Sequence, residues 1–224
     1  MSSSPISTRP AQNTDIQSII HLLTQAFWNE DAVGRFLHPH RHRFPDDVSK
    51  YWRRGLRETW WERGREHVVV VDGEGVVVGY AGWVFVGDPK PIPIIQTIIS
   101  TLFTFYAKIQ NHLSNALSPN RAANPEHLTA MARAKPFYQH KLPAAPRYDL
   151  ETLAVHPSHQ GKGYGSLLVQ WGVDRAIEER VPATVISADG TEKFYGRWFG
   201  RSVGKVTGGV GNPLEGIRGG VILD

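Results

Sequence analysis

Residues 150–166 read LETLAVHPSHQGKGYGS, and this stretch decides the fold. Leu150 to Val155 is an apolar β-type run, His156-Pro157 interrupts it, and amphipathic spacing predicts a helix from Ser166 to Arg180. Between strand and helix lies Gln160-Gly161-Lys162-Gly163-Tyr164-Gly165, with glycine at three alternate positions. Glycine removes the side chains that would hold backbone N–H groups away from a ligand, and a helix N-terminus adds partial positive charge. The loop is therefore expected to cradle an anion, with a pyrophosphate as the natural guest.

The spacing excludes two common cradles. In a P-loop the lysine precedes Ser or Thr, whereas Lys162 precedes Gly163. A dinucleotide fingerprint needs G-x-G-x-x-G on the first strand of repeated βαβ units; here the third glycine comes one residue early and the loop lies late in the chain. The pattern Q/R-x-x-G-x-G/A does fit Gln160 to Gly165, and with the strand before it this resembles motif A of the GNAT superfamily of acetyl-CoA-dependent N-acetyltransferases.

Outward from the cradle, the rest of the chain is read as follows. Ile6 to Pro10 is a short first strand, and Thr14 with Gln17 reads as a capping box before a helix whose apolar stripe is Ile16, Ile19, Ile20, Leu23, Ala26 and Phe27. A polar loop holding His38, His40 and His42 leads to a second helix from Pro45, with Val48, Trp52, Leu56 and Thr59 at helical spacing and Gly64 ending it. Residues 67–71 and 76–86 are β-branched and aromatic runs joined by Asp72-Gly73-Glu74-Gly75, a hairpin signature. Pro89, Pro91 and Pro93 stop the second of these strands and open an insert over 89–147. It contains a helix over Ile94 to Leu117, striped by Ile95, Ile98, Ile99, Leu102, Tyr106, Ile109 and Leu113, and a shorter one over Pro125 to Ala134. After the helix behind the cradle come a strand over Thr184 to Ala188, a short helix over Thr191 to Trp198, and glycine-rich strands over Ser202 to Val206 and Gly219 to Leu223.

This order is that of the GNAT fold. The resemblance thus implies an α/β (α+β) protein, with a mixed, mostly antiparallel, splayed sheet flanked by helices and a helical insertion between the third and fourth core strands. Residues 1–224 are expected to form one acetyltransferase domain, and the insert resembles those of fungal small-molecule members.

Composition agrees with an ordinary globular protein. The 224 residues, 41% of them hydrophobic, suffice for one sizeable core. A formal charge of +4 suits an anionic ligand and is too small to imply nucleic acid. The aromatic and basic run from Lys50 to Arg65 reads as an amphipathic scaffold helix, its charge diluted by Glu58 and Glu62. With no cysteine, disulfides, thiolate catalysis and sulfur-ligated zinc are excluded. The alternating histidines lack partnered carboxylate spacing, so no metal is expected. The residues before Ile6 lack the basic and apolar regions of a secretory signal, and no stretch reaches 18 apolar residues, so a cytoplasmic location without membrane attachment is expected.

The resemblance also implies site residues. Backbone atoms of Leu153, Ala154 and Val155 would hold the pantetheine arm of acetyl-CoA, with an N–H near Val155 polarising the thioester carbonyl. Amides from Gly161 through Lys162, Gly163, Tyr164 and Gly165 to Ser166 would bind the pyrophosphate, assisted by the side chains of Gln160, Lys162 and Ser166. Gly190-Thr-Glu-Lys-Phe194-Tyr195 resembles the family's G-x-x-x-[LF]-Y element, which makes Tyr195 the proton donor to the departing thiolate. The usual continuation Y-x-x-x-G-F is replaced by Tyr195-Gly196-Arg197-Trp198-Phe199-Gly200, its last two residues in reversed order. A general base must deprotonate the acceptor amine; Asp149 and Glu151, two apart on a strand, are the candidates, with Glu151 favoured. His156 and His159 read as exposed loop residues. Phe27, Trp28, Trp52 and Trp60 on the first two helices are candidates to contact the acceptor.

A small-molecule primary amine, acetylated by direct transfer, is the expected acceptor. Alternatives are a peptide or protein amine, or a non-catalytic CoA-binding regulatory module. The helix over 94–117 is expected to be a lid or a dimer face, so the protein is expected to be a monomer or homodimer.

Overall fold

A computed structural model describes residues 6–88 and 93–224; Pro89 and Pro91 lie outside the described residues. The chain begins with strand β1 (Ser7–Pro10) and helix α1 (Ile16–Ala26). The capping box before α1 is formed by Gln12 and Asp15 rather than by Thr14 and Gln17. Asp15 accepts from the Gln12 N–H at 2.7 Å and is also clamped by Arg9 at 2.6 Å, a carboxylate–guanidinium pairing that the Thr14 hydroxyl does not offer. A π-helical turn over Asp31–Leu37 occupies part of the loop expected to be polar. Helix α2 (Pro45–Thr59) then leads into the hairpin β2 (Arg65–Val71) and β3 (Val77–Val86).

Helix α3 (Ile94–Leu117) has the expected bounds. The second insert helix is two pieces, α4 (Pro125–Leu128) and α5 (Ala130–Tyr138), and extends past Ala134 with Pro136 inside it. The remaining elements are β4 (Arg147–Val155), α6 (Tyr164–Glu179), β5 (Ala183–Ser187), α7 (Glu192–Tyr195), β6 (Ser202–Lys205) and β7 (Val221–Leu223). Helix α6 starts two residues earlier than the spacing predicts, because Gly163 at φ 86° is its N-cap.

The seven strands form one sheet in the order β1-β2-β3-β4-β5-β7-β6. Every adjacent pair is antiparallel except β4 with β5. Because strand side chains alternate, the valines of β2 divide between two faces. Val68 and Val70 pack under α6 with Trp83 and Leu168, while Val69 and Val71 pack under α1 and α2 with Ile19, Leu23 and Leu56. The α6 contact is close. Trp83 Nε1 donates to the Leu168 carbonyl at 3.1 Å, and a Cβ on Gly172 would sit 2.0 Å from the Trp83 ring. This close approach fixes the start of α6 relative to the end of β4. A third apolar cluster joins α5 to the C-terminal strands through Ala130, Ala134, Val206 and Ile222.

Candidate functional site

Strands β4 and β5 share a ladder only over Tyr148–Ala183, Asp149–Thr184 and Leu150–Val185. Beyond it β4 stays with β3 as far as Val155–Gly79, and β5 turns to β7 as far as Ser187–Val221. The two strands therefore part, and the β5-facing backbone of β4 from Glu151 to Val155 lacks a strand partner on that side. A cavity of about 480 Å³ fills the wedge. Leu153, Ala154 and Val155 line one wall, Gly161 and Gly163 to Ser166 its end, and Thr191, Phe194, Tyr195 and Arg197 the other wall.

The end of the wedge is shaped for an anion. Gly161 and Gly163 have φ of 76° and 86°, in the left-handed region that disfavours side chains, and a Cβ at either would meet no atom within 4 Å. These glycines are thus demanded by backbone direction and not by crowding within the protein. Gly165 is different: its Cβ would lie 3.3 Å from the Phe194 ring, so it lets the start of α6 approach α7. The first N–H groups of α6, on Tyr164 and Gly165, precede the intrahelical ladder and face the dipole's positive end.

Several residues of the cradle have other partners. The Ser166 N–H donates to the Gly163 carbonyl at 3.0 Å, and the Gln160 amide donates to the Val155 carbonyl at 3.2 Å. Tyr164 buries its ring in the α6 core, leaving its backbone to the cradle. Lys162 is exposed and lies outside the cavity lining. His156 and His159 flank the short turn before the cradle; their rings are 5.6 Å apart, and His156 is pushed down in pKa by partial burial and by the neighbouring His159 and His21. His159 also lines the cavity, 3.9 Å from Asp72.

Tyr195 is buried in the wedge wall, its ring edge-on to Phe194 at 5.0 Å and to Phe199 at 6.0 Å. Burial pushes its phenol well above the usual range, so the hydroxyl stays protonated. The reversed Phe199-Gly200 pair is accommodated: Phe199 is core, and the Gly200 N–H donates to the Asp224 carbonyl at 2.8 Å.

The two acidic candidates have different surroundings. Both oxygens of Asp149 are held by Arg147, at 2.8 and 3.0 Å, and the Thr184 hydroxyl donates to one of them. Glu151 is the extra residue of a β-bulge, where the β3–β4 register shifts between Gly82–Thr152 and Trp83–Leu150. A bulge re-aims a side chain locally. Glu151 there accepts from Arg65 Nη1 at 2.6 Å through Oε2 while half its side chain stays exposed. Arg65 is in turn paired with Glu62 at 2.8 Å and raised in pKa by these partners against its burial.

Beside this pair lies a buried polar cluster the sequence reading did not identify. His67 Nδ1 and the Tyr80 hydroxyl are 2.7 Å apart, and the His67 ring stacks on Trp60 at 4.6 Å. Burial drives His67 down to about 4 and raises Tyr80. Tyr138 of α5 packs against the third apolar cluster and is also raised, first by burial and then by the charges of Glu151 and Asp149. Arg65 and His67, polar at alternate positions beside an unbroken valine run, were the available signal.

The aromatic candidates on the first helices are dispersed. Phe27 and Trp52 meet at a tilt of 45°, 5.0 Å apart, within the α1–α2 core, and Trp28 meets His42 edge-on at 5.7 Å. None of the three lines the wedge. Trp52 Nε1 is buried without a protein partner. His38 is buried, bonded to the Val33 carbonyl at 2.7 Å, and pairs with Tyr51 rather than with His40 or His42. Among the described residues no group of three or more His, Cys, Asp or Glu is arranged to hold a metal, and no helix is long and apolar enough to cross a membrane.

Comparison with known proteins gives the same frame. Residues 100–200 match the model of the acetyltransferase (GNAT) family, a span that includes β4, the cradle, α6 and Tyr195. Among solved structures, a protein from Corynebacterium glutamicum described as histone acetyltransferase HPA2 and related acetyltransferase is 18% identical, with TM-score 0.60 over 100% of this chain and 95% of its own. A GCN5-related N-acetyltransferase from Kribbella flavida is 16% identical, with TM-score 0.51 over 97% of this chain and 95% of its own. At such identities the likeness concerns the fold. No curated protein sequence matches the chain.

Proposed function

We propose, for a chain that belongs to the GNAT superfamily, that it transfers an acetyl group directly from acetyl-CoA to the primary amine of a small molecule. The observation that carries the donor is the wedge itself: a strand edge without a partner, ended by two left-handed glycines whose missing side chains leave open space. A pantetheine arm pairs with such an edge as an added strand would, and a pyrophosphate suits the amides of Gly161 to Gly165 at the α6 N-terminus.

The residues divide the chemistry as follows. The backbone N–H near Val155 donates to the thioester oxygen and stabilises the negative charge that grows there as nitrogen attacks. Glu151, directly or through a water, takes the proton that the ammonium must lose before its lone pair is available. Tyr195 hydrogen-bonds the sulfur as the carbon–sulfur bond breaks. Its raised pKa does not disqualify it, because the apolar wedge that penalises a phenolate also penalises a thiolate. Glu151 is preferred to Asp149 because both Asp149 oxygens are already engaged.

A small acceptor is favoured by the position of α5. Tyr138, whose pKa is raised by burial and then by the charges of Glu151 and Asp149, brings the insert within electrostatic reach of the candidate base, and an insert over that end of the wedge favours a small acceptor over a polypeptide. The test is turnover: with acetyl-CoA and a panel of arylalkylamines, polyamines and peptide N-termini, free CoA should be released with the small amines. Release with peptides alone would overturn the acceptor, and failure of acetyl-CoA to raise the melting temperature would overturn the donor.

A further inference from the structure

Helix α3 is docked the unusual way round. Its inward side is small and polar: Asn111 donates to the Arg54 carbonyl at 2.8 Å and to Glu58 at 2.9 Å, and Arg57 donates back to Asn111 at 3.1 Å. Arg54 reaches the end of the helix, donating to Asn115 and to the carbonyls of Ser114 and Ser118. Just beyond, Arg121 closes on Asp47 of α2 at 2.8 Å. These bonds join specific partners on two helices, so the orientation is built and not incidental.

The opposite half of α3 is therefore presented outward, and it is apolar. Ile95, Ile99, Leu102, Tyr106, Ile109 and Leu113 are all exposed, Leu102 to 62%. Their spacing is 4, 3, 4, 3 and 4, the alternation of a coiled-coil seam. Ile94, Ile98 and Phe105 are exposed alongside it, while Phe103 stacks on Trp61 at 4.7 Å. Together these side chains present on the order of 1,000 Å² of apolar surface, above the largest patch usual on a monomer and comparable with the roughly 800 Å² each partner gives to a stable interface.

We infer that α3 is the dimerisation element of this protein and that its occupant is α3 of a second copy. Three features select a second copy over other occupants. The heptad alternation over six positions is the pattern one helix presents to another, whereas a lipid surface sets no such requirement. The charged residue of α3, Lys108, lies off the seam, so two copies meet without like charges opposed. The area is that of one side of an isologous interface. The inference is independent of the donor and acceptor chemistry.

The test uses the full-length protein in sedimentation equilibrium at micromolar concentration. The wild type is expected as a dimer, and Leu102→Glu with Ile109→Glu as a monomer with unchanged helix content, since both side chains are exposed within one chain. Thr101→Glu, off the seam, should remain dimeric. Because the chain has no cysteine, Leu102→Cys supplies a single thiol near the middle of the seam, and a short bismaleimide should link two chains through it. A monomeric wild type, a dimer that survives the double substitution, or a monomer that floats with anionic vesicles would each overturn the inference, the last in favour of a membrane surface.

Discussion

The cradle can be tested against a matched internal control. Gly163, at φ 86°, and Gly75 in the β2–β3 turn, at φ 85°, share a left-handed φ, and neither has an atom within 4 Å of an added Cβ. Alanine at either position should cost about 1–2 kcal/mol of stability, the left-handed penalty of an L-residue. The two differ in what their backbone serves. If Gly163 aims amides at a pyrophosphate, relaxing its φ displaces at least one charge-assisted hydrogen bond worth about 1.5–3 kcal/mol, or roughly a 10- to 100-fold weaker Kd. At a CoA concentration near 100 times the wild-type Kd, ligand stabilisation is about 2.7 kcal/mol, and a tenfold weaker Kd removes roughly half of it. Calorimetric titration with CoA and melting with and without CoA measure both quantities. Gly163→Ala and Gly75→Ala should lose similar stability without ligand, while only Gly163→Ala loses CoA affinity. Equal CoA affinities in the two variants would refute the cradle.

Other consequences follow from particular contacts. Glu151→Gln should lower kcat by about 10²–10⁴-fold with CoA affinity preserved, whereas Asp149→Asn should chiefly lower stability, by roughly 1–3 kcal/mol, through its bonds to Arg147 and Thr184; steady-state kinetics beside urea unfolding separates the two effects. Gly172→Ala places a methyl 2.0 Å from the Trp83 ring and should destabilise by about 3 kcal/mol, the upper end for overpacking, seen as a lower melting temperature, because α6 must lift from the sheet. His67 is depressed from 6.5 to about 4, so below pH 6.5 the unfolded chain takes up a proton the folded one refuses. Stability should therefore fall as pH drops from 6.5 toward 4, by about 3 kcal/mol from this group, and His67→Gln should flatten that part of the profile in denaturant titrations.

Much of the site was legible because it depends on local chemistry. Glycine is favoured where the chain turns left-handed before a helix, so Gly161 and Gly163 are visible in the sequence as they are in the structure. Helix α3 was legible to its ends for the same kind of reason, its periodicity being a property of consecutive residues. The surroundings of the acidic candidates were not legible. Period-two reasoning set Asp149 and Glu151 on one face but carried no sign of the bulge at Glu151, which arises from register with β3, nor of Arg65, 86 positions away. The first capping box was misplaced because Arg9, on a neighbouring strand, recruits Asp15.

The sequence by itself determined the order of elements and the glycine-rich turn into α6, since hydrophobic period and glycine's backbone freedom act over a few residues. Tertiary structure decided what those elements face. The parting of β4 from β5 opens the wedge, Arg147 occupies Asp149 while Glu151 keeps an exposed side, and polar bonds to α2 turn the apolar half of α3 outward. A hydrophobic stripe states that it must be covered; only the packing of the remaining chain shows whether the cover comes from within the same molecule.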